Sequence, residues 1–100
     1  MRQIPLTPGQ NQTLKVILSD QLCKITVYEN STGVYLDLSV NAVVVRNSIL
    51  CLDRVEMITD DYLGFIGRLM FVDTEGTSDP VSSGLGVRYQ LYYLEPGIDF

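Results

Sequence analysis

The chain has 100 residues, 46% of them hydrophobic and 19% charged, a balance that permits one folded domain and excludes a disordered chain. Its 12 acidic and 7 basic residues leave a net charge of −5, unsuited to gripping a phosphate backbone. It contains no histidine, which removes the usual general base, the usual metal ligand and any Ser-His or Cys-His pair; two cysteines alone cannot complete a tetrahedral zinc site.

Charge is divided unevenly. Residues 1–50 hold four basic and three acidic residues, whereas residues 51–100 hold three arginines and nine acids. An acidic face of this kind either stays solvated or docks on a basic partner. No apolar run approaches the roughly 18 residues of a membrane-spanning helix. Met1–Pro5 does not lead into the apolar core of a signal peptide, so one small soluble domain over residues 1–100 is expected.

In chain order, residues 1–10 come first as an arm. Arg2-Gln3-Ile4-Pro5-Leu6-Thr7-Pro8-Gly9-Gln10 is extended and proline-punctuated, which excludes a helix. Such an arm either lies along its own domain or adds to a neighbouring sheet. From Thr13 to Ser19, Leu14, Val16 and Leu18 alternate with Thr13, Lys15, Ile17 and Ser19, the period of a half-buried strand. After Ser19-Asp20, a second run to Tyr28 puts Cys23, Ile25 and Val27 on one face and Leu22, Lys24, Thr26 and Tyr28 on the other. The short connection predicts a β-hairpin. Glu29–Gly33 is a turn cluster, followed by a strand with Val34, Leu36, Leu38 and Val40 inward.

Val43–Arg46 reads as a β-branched strand, Arg46-Asn47-Ser48 as a turn, and Ile49–Met57 as another strand with a bulge near Asp53. Residues 59–64 are turn-like, or at most one helical turn capped by Thr59 or Asp60. Ile66–Asp73 returns to strand character, 74–84 is a loop rich in Gly, Ser, Asp and Pro, and Val87–Leu94 closes the chain as a tyrosine-rich strand before the tail at 96–100. Six to eight short strands with regular turns predict an all-β fold: a small antiparallel sandwich or barrel.

No constellation assigns a catalytic, cofactor-binding or metal-binding residue. Cys23 and Cys51 sit on apolar strand faces and are expected as buried free thiols. Glu56, Asp60 and Asp61 lack the regular calcium-loop pattern and suit backbone-bonded turns. Gly84-Leu85-Gly86 lacks the phosphate-loop lysine and opens a strand, so it is expected to give tight chain entry. The residues expected to carry protein contacts are Arg2, Ile4 and Leu6 on the arm, Arg88 and Tyr92 on the outer side of the last strand, and the terminal Phe100.

Ile4-Pro5-Leu6, Gln10, Thr13-Leu14 and Val16, with Asp79-Pro80 and the run Leu85-Gly86-Val87-Arg88-Tyr89-Gln90-Leu91-Tyr92-Tyr93-Leu94, resemble the baseplate plug proteins of contractile-tailed bacteriophages, the cyanophage type in particular. Tyr35-Leu36-Asp37-Leu38-Ser39 sits where related chains show an aromatic followed by alternating residues. The resemblance spans nearly the whole chain. It implies a non-catalytic virion protein, made in the host cytoplasm and built into the tail baseplate. Its partners by that resemblance are the tail tube or hub and the baseplate wedge proteins, with several copies, six expected, and neither nucleic acid nor membrane. From another class stands a small ligand-binding β-barrel, which requires an interior cavity.

Overall fold

The computed structural model describes residues 1–58 and 64–98. Among these lie eight strands: β1 (Arg2–Ile4), β2 (Asn11–Leu18), β3 (Gln21–Asn30), β4 (Gly33–Val40), β5 (Val43–Leu50), β6 (Glu56–Met57), β7 (Arg68–Asp73) and β8 (Tyr89–Leu94). They form two antiparallel sheets, ordered β2-β3-β4-β5 and β1-β8-β7-β6. The fold is therefore all-β, and of the two architectures expected it is the sandwich.

The alternation read from the sequence fills the space between the sheets. Cys23, Ile25 and Val27 on β3 and Val34, Leu36, Leu38 and Val40 on β4 join one core with Leu69, Phe71, Leu91 and Tyr93 from the second sheet. The β2–β3 connection is a two-residue hairpin loop with φ of 48° at Ser19 and 61° at Asp20, and Asn41 (51°) and Ala42 (67°) repeat it between β4 and β5. Two consecutive positive φ values are the type I′ geometry, whose twist matches that of the flanking strands.

Two sequence expectations are corrected between residues 43 and 57. Residues 46–48 do not end a strand; β5 runs through them, and register shifts along β4 absorb the irregularity, with Ser48 at φ 57°. Nor is Ile49–Met57 a strand. After Leu50 the chain leaves the first sheet; Asp53 makes a single bridge to Phe71, and Arg54 takes φ 56°. Asp53 causes this crossing, because its carboxylate accepts the Asp73 N–H rather than sitting on an apolar strand face. Among the described residues of this segment, Glu56 and Met57 make the antiparallel ladder with β7. Of the turn expected over 59–64, residues 59–63, with Asp60 and Asp61, lie outside the described residues.

Polar clamps join the sheets at their margins. Buried Gln21 on β3 accepts the Ile66 N–H and donates to the carbonyls of Leu18 and Ile66. The Tyr93 hydroxyl, on β8, bonds the Ser19 hydroxyl of the opposite sheet and the Ile66 carbonyl. Glu29, at the end of β3, receives both the backbone N–H and the hydroxyl of Ser82, which opens a short 3-10 turn over Ser82–Gly84. These contacts fix the rotation of one sheet against the other, which apolar packing alone leaves loosely specified.

Candidate functional site

The first ten residues are part of the sandwich. β1 pairs with β8 in the register Ile4 to Leu91, and Ile4 is fully buried. Leu6 is buried too, and its carbonyl lies so close to Gly86 that an added Cβ there would stand 1.9 Å from it. With φ at 77°, Gly86 is held to glycine twice over, which bears out the tight chain entry read from Gly84-Leu85-Gly86. Thr7 and Gln12 exchange two hydrogen bonds, and Arg2 donates to the Ile17 carbonyl, so the segment also closes the edge of β2. Ile4 and Leu6, expected at a contact with another protein, are thus corrected: their side chains are inside the chain's own core. Arg2 keeps its place at the surface. Phe100 lies outside the described residues.

The placement of Arg88 on the last strand is also corrected. The residue falls in the turn before β8 rather than on the strand, and its guanidinium makes a two-pronged pair with Asp73 at 2.8 and 2.9 Å. The same guanidinium lies 5.2 Å from the centre of the Tyr89 ring. Tyr92 is on the outer side of β8, half-buried beside Met70, Val72 and Leu94. On the inward side of β8, Tyr89, Leu91 and Tyr93 are buried.

Much of the acidity of residues 51–100 serves loop 74–79. Asp73 has no exposed side-chain surface and accepts from the N–H groups of Glu75 and Ser78 as well as from Arg88. Arg88, then those two N–H groups, hold its carboxyl well below the usual range against the opposing effect of burial. Asp53 pairs with Arg54, whose guanidinium also donates to the carbonyls of Gly76 and Asp73, while Asp79 accepts the Asp53 N–H. Glu56 pairs with Arg68, and Glu95 with the N-terminal ammonium. Carboxylates so fully engaged by protein donors order a loop; among the described residues no group of three or more His, Cys, Asp or Glu is disposed to hold a metal ion.

The two thiols are buried and unpaired, as their strand faces predicted. Burial raises both, and pushes Cys51 up to about 12. Among the described residues, a surface cleft of about 680 Å³ lies beside Gly64–Arg68 and Pro96-Gly97, and another of about 320 Å³ beside Lys15, Lys24 and Ser39. The inner faces of the sheets are filled by fully buried side chains such as Val27, Leu36, Phe71 and Leu91.

One surface was not singled out from the sequence: the outer face of β2-β3-β4-β5. Lys15 stands directly across from Lys24, and Ile17 from Leu22, in the β2–β3 register. Lys24 is next to Ser39, and Ser39 next to Val44. Ile17, Leu22 and Val44 are 60%, 48% and 59% exposed. Val45 turns toward the core, and past it a register shift pairs the exposed Arg46 with Leu38. Tyr28 stacks on Tyr35 with ring centres 6.0 Å apart further along the same face. The alternation that placed Lys15, Ile17, Leu22 and Lys24 opposite the core residues already contained this surface.

A family model described as cyanophage baseplate Pam3 plug gp18 matches residues 1–96 of the chain. No curated protein matches it.

Proposed function

From the premise that the chain belongs to the cyanophage baseplate plug family, we propose that it fills the space between the central tube or hub and the surrounding wedge proteins of a contractile tail baseplate, in several copies. Membership supports a structural, non-enzymatic role, a place in the virion tail and association with other baseplate proteins. The match over residues 1–96 carries the reading. The body of the protein suits it: two sheets clamped by Gln21, Tyr93 and Glu29, and a loop over 74–79 held in shape by Asp73 and Arg54. A spacer loaded from several sides acts through shape, and surfaces ordered before contact lose little conformational freedom on docking. Of the contacts expected from the sequence, Arg2, Arg88 and Tyr92 remain proposed, together with Phe100 at the terminus.

Cross-linking of intact baseplates followed by mass spectrometry tests the placement. Cross-links from this chain are expected both to tube or hub proteins and to wedge proteins. Cross-links to one of the two groups alone would overturn the filling position, and absence of the chain from purified tails would overturn the baseplate role.

A further inference from the structure

We propose that the outer face of the β2-β3-β4-β5 sheet, centred on Lys15 and Lys24 and flanked by Ile17, Leu22 and Val44, is a docking surface for an acidic protein surface of a different chain. This deepens the baseplate reading and rests on it.

Three observations carry the inference. First, the face is cationic on a chain of net charge −5. Asp37, a carboxylate on this side, is occupied by the Tyr28 hydroxyl and the Ser48 N–H. Second, Lys15 and Lys24 oppose each other in register, and among the described residues neither ammonium has an ion-pair or hydrogen-bond partner. Like charges directly opposite on a sheet are destabilising, so the pair opposes folding of the isolated chain and is relieved when carboxylates approach. Third, the cations alternate with exposed aliphatic side chains, and Tyr28 and Tyr35 continue the face. A centre of apolar and aromatic groups with cations beside it fits a protein partner.

The chemistry of the occupant follows from charge. A second copy is a poorer fit, because seven of this chain's 12 acidic residues are already engaged: Asp53, Asp73, Glu56 and Glu95 in ion pairs, and Glu29, Asp37 and Asp79 in hydrogen bonds. A nucleic acid is a poor fit as well, since affinity for phosphate backbone grows with the number of cations engaged and this face sets two lysines among three exposed aliphatic side chains. An acidic patch on another protein meets both halves of the surface.

The test uses tails assembled without this protein and the purified full-length chain added back. Wild-type protein is expected to bind, with an association rate that falls as salt is raised. The K15E/K24E variant, checked for wild-type folding by circular dichroism, is expected to associate about tenfold or more slowly at low salt, and K15R/K24R to bind as wild type does. A carbodiimide, which joins amines to carboxylates in contact, is expected to link Lys15 or Lys24 to Asp or Glu of another protein. Equal binding by wild type and K15E/K24E would overturn the docking face while leaving the baseplate role intact. Links only to a second copy of this chain, or binding of duplex DNA in place of tails, would overturn the proposed occupant. Failure of wild-type protein to bind the tails at all would instead contradict the baseplate reading on which the proposal rests.

Discussion

Replacing Ile4 with alanine measures whether the first residues are structure or appendage. Ile4 is fully buried on β1, opposite Leu91, itself fully buried. The change removes three carbons, each contributing about 0.8 kcal/mol of burial, and leaves a cavity between two strands that are pinned by their neighbours. Adding the cavity term gives a loss of about 3 kcal/mol. A domain of this size has a total stability of about 5–15 kcal/mol. At about 4–8 °C per kcal/mol, the midpoint of thermal unfolding falls by about 15 °C. Ile17→Ala is the control, since the same side chain is 60% exposed on the outer face of β2 and its loss is expected to matter by no more than about 0.5 kcal/mol. Urea and thermal unfolding followed by circular dichroism read both. An Ile4→Ala protein within about 0.5 kcal/mol of wild type would refute the reasoning, because the segment would then be a detachable arm.

Three further outcomes are expected. Ala42 holds φ at 67°, where an alanine pays a steric cost of about 1 kcal/mol that glycine does not; Ala42→Gly should raise the unfolding midpoint by a few degrees, and a lowered midpoint would contradict the type I′ assignment. Asp73 is held in its charged form by Arg88, so its contribution is present at neutral pH and fades as the pH falls below about 4, the unfolded value. Asp73→Asn should therefore be less stable at neutral pH and lose less on acidification than wild type, and parallel acid profiles for the two would contradict the pairing. Thiol labelling of native protein at pH 8 should be slow at both cysteines, slowest at Cys51, whose thiol is pushed up to about 12; fast modification of either would contradict its burial.

What the sequence made legible was local. Strict alternation in β2, β3, β4 and β8 identified the core faces residue by residue, because a strand with one buried face has period two whatever it packs against. The failures are long-range. Nothing near Ile4 announces that its partner is Leu91, at the other end of the chain. Arg88 shares the parity of Tyr92, yet it stops short of the strand because Asp73, fifteen residues earlier in the chain, draws its guanidinium inward. In β5 the irregularity at Ser48 mimics a turn, since positive φ is equally the mark of a bulge, and pairing with β4 decides between them. The basic outer face was visible as a list of outward residues, but its meaning needed the register that sets Lys15 against Lys24.

A cryo-electron reconstruction of the assembled tail baseplate tests the central claim most directly. Density is expected for two four-stranded sheets wedged between the tube or hub and the wedge proteins, with the side of Lys15 and Lys24 facing carboxylates of a neighbouring chain. Density for the sandwich at the periphery of the baseplate, with that face turned to solvent, would contradict it.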